Sequence, residues 1–411
     1  MPDLSRRTAL TALLGAPLLI AGCSVATPSP SPSAVPTGSA APPQDLVLED
    51  GPELKVQTAS ITVQRFGPTG THWPARTPTR KDRFAFVVEA DPTWSSIAAA
   101  IERANAVAPN GNAAILVRPG TLPGFGAGST AKPVLSNVGS ARRKTRVLIS
   151  PRDGVGSVTF SASIRLDRVR GVTFLGFWLA PYSLVLSAVQ DFSWAWSKGQ
   201  AFNITGNSSE PTADVDLVEC VTPEARAADA DTWAFRTAGQ RIDRVAVIGS
   251  YIAPSYKAAG SSAHVDTLQL SGSEGMSGIV FRDTAIFAST NAAFIGYPGA
   301  SDILFDSSLV VGGRYMLDRF PLPEGANDFT SGYPSAVNGS GTVDILSASG
   351  STFYGPLRGT WKTVSGSTVI GAQAPSVTDG AFDAGATTMS ADGFDTISPV
   401  PTDDVLRSIW K

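Results

Sequence analysis

"RIDRVAV", residues 241–247, is a short strand of alternating apolar residues that follows a polar turn. Six further stretches share its form: VRGVTF (169–174), VQDFSW (189–194), TADVDL (212–217), MSGIVF (276–281), ASDILF (300–305) and GTVDIL (341–346). Their anchor positions are Val172, Phe192, Val215, Val245, Ile279, Ile303 and Val343, separated by 20, 23, 30, 34, 24 and 40 residues. A core that repeats every 20 residues or more, with turns of unequal length between, reads as a solenoid. No long amphipathic helix intervenes, which argues against leucine-rich and α/β repeats.

A second strand precedes each anchor. FNITG (202–206), FRTAG (235–239) and LQLSG (268–272) fall 33 residues apart, and IRL (164–166), LVL (184–186) and FIG (294–296) look like the same strand in neighbouring turns. Alternate residues of a strand face opposite sides. Phe202, Phe235 and Leu268 therefore point into the coil, and Arg165, Val185, Asn203, Arg236, Gln269 and Ile295 form an outward ladder with rungs roughly 4.8 Å apart. The same offset, applied to the turn before the strand, aligns Lys198, Asp231 and His264 and sets Asp266 beside Trp233. His264 is one of only two histidines. Lys198, Asn203, Asp231, Arg236, His264, Asp266 and Gln269 are thus expected to form one polar patch.

Upstream, DPTWSSIAAAIERANAV (91–107) reads as a helix with Asp91 as N-cap and Pro92 in its first turn. Its apolar face is Trp94, Ile97, Ile101 and Ala104. GNAAILVRPGTLPG (111–124) follows as a strand ending in Pro-Gly. This helix-then-strand opening, joined to the repeat, resembles the pectin-lyase-like right-handed parallel β-helix superfamily over about residues 90–370. The resemblance implies an all-β, single-stranded right-handed parallel β-helix with an N-terminal helical cap, and a substrate groove along the outer face of the second strand's sheet. The expected layout is a cap region over 44–110, the β-helix over 111–400 and a capping helix over 401–411, laid across the open end of the coil.

LSRRTALTALLGAPLLIAGC (4–23) has a basic start and an apolar run too short for a membrane span, so residues 1–22 read as a signal peptide. "LIAGC" resembles a bacterial lipobox with Cys23 as the lipidated residue, and the pair Arg6–Arg7 is similar to a twin-arginine export signal. The Pro/Ser-rich stretch within 23–43 is a tether. A lipid-anchored, extracytoplasmic monomer is expected. With Cys23 so used, Cys220 has no disulfide partner and packs as a small hydrophobe. A net charge of −3 argues against a nucleic-acid partner.

The chemistry is narrowed by what is missing. Pectate lyases of this superfamily use a carboxylate cluster for calcium, and the polygalacturonase branch uses paired aspartates within the coil. Neither pattern matches here, and no metal-ligand spacing, phosphate loop or serine elbow is visible. No metal or cofactor is expected. Metal-independent β-elimination from an acidic polysaccharide fits the residues. His264 serves as base or acid oriented by Asp231 or Asp266, and Arg236 or Lys198 neutralises the uronate; Asn203, Asp231 and Gln269 contact the sugar. The competing reading is a non-catalytic glycan-binding or structural surface protein. His72 reads as an ordinary loop residue. Trp194 and Trp196 suggest a sugar platform, but Trp194 occupies an inward slot.

Overall fold

The computed structural model describes residues 65–124, 132–327, 329, 332–339, 345–385 and 391–411. The leader, Cys23, the tether and the anchor Val343 lie outside the described residues. Among the described residues the chain winds as a parallel β-helix whose coils each lay down up to three short strands.

Sheet 1 contains Ala201–Thr205, Trp233–Arg236, Asp266–Ser271, Ala292–Gly296, Ser335–Gly339 and Leu357–Arg358 among its rungs. Sheet 2 carries the anchors. Val172, Phe192, Val215, Val245, Ile279 and Ile303 pair in sequence as one column, and each is at most 1% exposed. The column continues at Leu346, which pairs with Ile303, so the anchor expected at Val343 is replaced by Leu346. Sheet 2 also opens earlier than expected, since Phe86–Ala90 pairs with Ala113–Val117 ahead of the helix. Sheet 3 stacks Tyr251–Ile252, Ala285–Phe287, Leu309–Val311, Thr352–Tyr354 and Thr368–Ile370.

The corners explain the polar turns. Gly171, Asp191, Asp214, Arg244, Gly278 and Asp302, each just before an anchor, have φ between 49° and 67°. This left-handed conformation suits Gly and Asp and tightens the bend into sheet 2. A second column at the next corner, Trp196, Glu219, Gly249, Asp283, Ser307, Gly350 and Gly366, has φ between 47° and 57°. Each member is followed by Ser197, Cys220, Ser250, Thr284, Ser308, Ser351 or Ser367. These seven small side chains, six hydroxyls and the Cys220 thiol, form a buried column. Cys220, Ser250, Thr284, Ser308 and Ser351 donate their backbone N–H to the hydroxyl of the next rung over 2.9–3.3 Å. Cys220 is therefore more than an apolar filler: its thiol lies 3.3 Å from the Trp194 carbonyl, as the Ser308 hydroxyl lies 3.0 Å from that of Phe281.

Helix α1 (Trp94–Val107) buries Trp94, Ile97, Ala100, Ile101 and Ala104 against the coil. Its N-cap is Thr93, whose hydroxyl accepts from Ser96 N–H at 3.2 Å, and not Asp91. Pro92 precedes the cap and fixes the entry instead of forming the first turn. Trp194 is fully buried and stacks on Phe174 at 5.1 Å, so it belongs to the core. Helix α2 (Tyr315–Arg319) begins a long connection between sheets 3 and 1.

The C-terminal tail contains α3 (Ala391–Ile397) and α4 (Asp403–Ile409). It runs back along the coil. Phe394 packs between Tyr354 and Phe287, Asp403 pairs with Lys198 at 2.8 Å, and Arg407 lies 4.1 Å over the Trp178 ring. The helix expected across the open end is drawn instead to the aromatic outer side of much earlier rungs. Beneath the tail lies a strap, residues 65–73. Phe66 donates its N–H to Ile397 and Gly67 to Asp283, at 2.8 and 2.7 Å. His72 is not an ordinary loop residue: Nδ1 lies 2.8 Å from Glu219 and Nε2 3.2 Å from Asp283. The fully buried Glu219 also accepts from Gly70 N–H at 2.8 Å and from Trp410 Nε1 at 2.5 Å.

Candidate functional site

Strand Asp266–Ser271 begins at a buried carboxylate. Asp266 is 0% exposed; its Oδ1 accepts from Asn291 Nδ2 at 2.6 Å, and its backbone N–H donates to Asp231 Oδ1 at 2.9 Å. The half-exposed His264 imidazole places Nδ1 3.0 Å from Asp266 Oδ2. That is an ion-pair distance, although Oδ2 accepts no well-aligned hydrogen bond. Asp231 Oδ2 in turn holds the exposed Arg236 guanidinium at 2.5 Å. His264, Asp266, Asp231 and Arg236 therefore form one connected chain.

Electrostatics polarise this chain. The Asp266 carboxyl beside His264 raises the imidazole pKa above its ordinary 6.5, against desolvation that lowers it. Burial pushes the Asp231 carboxyl up, opposed by the Asp266 N–H and by Arg236. Burial also raises Tyr297, reinforced by the nearby charges of Asp266 and Asp231.

The structure corrects the offset used to gather the patch. Phe235 pairs with Ile204 and Leu270, while Trp233 pairs with Leu268 and its ring touches Phe202 at 5.0 Å. The middle strand is thus shifted by two residues. An even shift keeps every side chain on its predicted face. Phe202, Phe235 and Leu268 are fully buried, and Arg236 is exposed. The outward row nevertheless passes through Ala234 instead of Arg236: Asn203 Oδ1 accepts from Ala234 N–H at 2.8 Å, and Ala234 pairs with Gln269. Asn203 is spent on this backbone contact. Gln269 lies in the same row, beside Ile295 and two rungs from Asn338. Lys198 leaves the patch altogether. It pairs with Val221 at the margin of sheet 3 and is held by Asp403 and Glu224. Unequal corner lengths are the cause.

His264 opens onto a polar pocket of about 210 Å³. Its walls include Lys257, Asn291, Asn338, Arg358 and Tyr333, and no Asp or Glu lines it among the described residues. Lys257 donates to the Ala263 carbonyl at 3.2 Å and has no carboxylate partner among the described residues, nor has Arg358. Two connections build the roof. Residues 257–259 and 325–327 zip together, with Ala259 N–H donating to Gly325 and Asn327 N–H to Lys257, at 2.9 and 3.0 Å. These lie inside the two longest intervals between sequence anchors, Val245 to Ile279 and Ile303 to the next rung. Interval length was the signal by which Lys257 and Tyr333 could have been found. No grouping of three or more His, Cys, Asp or Glu side chains with metal-binding geometry occurs among the described residues.

The chain is a parallel β-helix protein. No protein-family model and no curated protein matches it. Among solved structures, an alginate lyase from a Paenibacillus species is similar at a TM-score of 0.28 and 11% identity, covering 74% of this chain and 98% of that one. The A-module of a mannuronan C-5 epimerase from Azotobacter vinelandii is similar at a TM-score of 0.20 and 12% identity, covering 72% and 92%.

Proposed function

We propose that this is a surface-anchored, carbohydrate-active β-helix protein that cleaves an acidic polysaccharide by metal-independent β-elimination at His264. One observation carries the reading: a solvent-reaching imidazole, backed by a fully buried carboxylate, opens on a pocket lined by two cations and three asparagines without an acid. Asp266 favours the tautomer with hydrogen on Nδ1, leaving the Nε2 lone pair for substrate. Lys257 and Arg358 replace Lys198 as the groups that neutralise the uronate carboxylate and make the adjacent C–H more acidic. Nε2 takes that proton, the pair from the C–H bond forms the C=C bond, the glycosidic C–O bond breaks, and the imidazolium returns the proton to the departing oxygen. Arg236 opposes the burial that pushes the Asp231 carboxyl up, and Asp231 accepts the Asp266 backbone N–H, so both are positioning residues.

His264→Ala is expected to lower the rate of unsaturated-uronate formation by about 10²–10⁴-fold, and its melting curve should stay close to that of wild type at a pH above the raised imidazole pKa, where the neutral, half-exposed side chain contributes little to stability. Unaltered elimination in the variant would refute the role. The raised His264 pKa also favours a cation, which supports a second reading in which the pocket only retains the glycan. In that case wild type binds acidic oligosaccharide and releases no unsaturated product. Anchoring is tested separately: Cys23→Ser should release the protein from membranes, and retention of the variant there would count against the lipid anchor.

A further inference from the structure

We propose that Tyr333 is the sugar-stacking platform of this pocket, and that the ligand it selects is an acidic pyranose. Such a sugar presents a C–H face to the Tyr333 ring and a carboxylate to Lys257 and Arg358. The inference rests on the reading of the pocket given above and adds a residue and a ligand shape to it.

Tyr333 is 53% exposed, while the other large aromatic side chains of the described chain are buried or partly so. It is also held in place. Its ring lies 6.1 Å from Phe329, tilted by 35°, and Phe329 stands 6.3 Å from Tyr256, whose hydroxyl donates to the Phe320 carbonyl at 2.8 Å. A row of rings thus runs from the interior to the pocket wall and ends in solvent. An amphipathic ring with few rotatable bonds is a low-entropy contact surface. Trp194 and Trp196, the aromatic pair visible in the sequence, are 0% and 4% exposed and cannot serve.

The same pocket holds Lys257, Arg358 and His264 with Asn291, Asn327 and Asn338. Carboxamides suit hydroxyl groups, and the cations suit an anion. A small inorganic or tricarboxylic anion would satisfy the cations and leave the ring idle. A neutral sugar would cover the ring and leave the cations idle. An acidic pyranose uses both.

The test is calorimetric titration of the full protein with hexamers of mannuronate and galacturonate, a neutral mannohexaose and citrate. Tyr333→Ala should weaken binding of the preferred acidic hexamer by roughly two- to tenfold, Tyr333→Phe should restore it, and Lys257→Met should abolish the preference for acidic over neutral hexamer. Wild-type affinity in Tyr333→Ala, or citrate binding as tightly as the hexamer, would overturn the platform. Elimination that still depends on His264 would then leave the functional reading intact. Failure of wild type to bind either acidic hexamer overturns both.

Discussion

His264 and His72 each rest against a fully buried carboxylate, and exposure sends them to opposite roles. His264 is half exposed and has one acid beside it. A general base must be neutral, and its pKa is raised, so kcat/KM for elimination should climb through a pH above 6.5 and level off beyond it. Asp266→Asn should move that limb toward 6.5 and slow the reaction; an unmoved limb would separate Asp266 from the base. His72 is 12% exposed and grips two acids. Burial alone lowers its pKa, but the hydrogen bonds to Asp283 and Glu219 outweigh it and raise the value to about 9. A raised folded-state pKa stabilises fully below the unfolded value of 6.5 and loses that effect as pH rises through about 9. The contribution at stake is ~3 kcal/mol. Melting temperature should therefore fall between these limits in wild type and stay flatter in His72→Gln, which carries no titrating proton.

At the scale of elements, the hydroxyl ladder ties the corner between sheets 2 and 3. Ser308→Ala would leave the buried Thr284 N–H without its 3.2 Å acceptor, a cost of about 1–3 kcal/mol. Cys220→Ser, which restores a hydroxyl to the column, should change stability by about 1 kcal/mol or less. The thiol is fully buried and burial raises its pKa well above the usual range, so it should resist alkylation until the protein unfolds. Alternation made these strands legible from sequence, because a period of two survives any even shift in pairing. The anchors of sheet 2 and the inward set of sheet 1 were readable for that reason. The site was readable only where neighbours lie close in the chain. His264 and Asp266 are two residues apart, but Asp231 reaches Asp266 across a corner of its own length, so their stacking could not be counted in advance. Offsets of 31 and 35 residues average to the 33 seen in sequence. That average keeps Phe202 and Leu268 in one column while misplacing Phe235. Lys257, Arg358 and Tyr333 sit on connections and a late rung that no periodicity marks.

For the whole molecule, the tail changes how the stack should come apart. Rungs that touch only their neighbours behave as a one-dimensional array, which frays from its ends and melts over a broad range. Here Phe394 presses on rungs at Phe287 and Tyr354, while Trp410 is bound to Glu219 and Asp403 to Lys198. Distant rungs are thereby made to share one fate, and the strap under the tail adds residues 65–73 to the same cooperative unit. Unfolding of the intact protein should appear as a single sharp transition, with calorimetric and van't Hoff enthalpies in agreement. Removal of residues 391–411 should widen it and let amide exchange at 352–384 run ahead of that at 164–222. Equal exchange along the coil after truncation would show that the rungs need no such coupling. The tail lets a linear stack denature as a globule does, all at once.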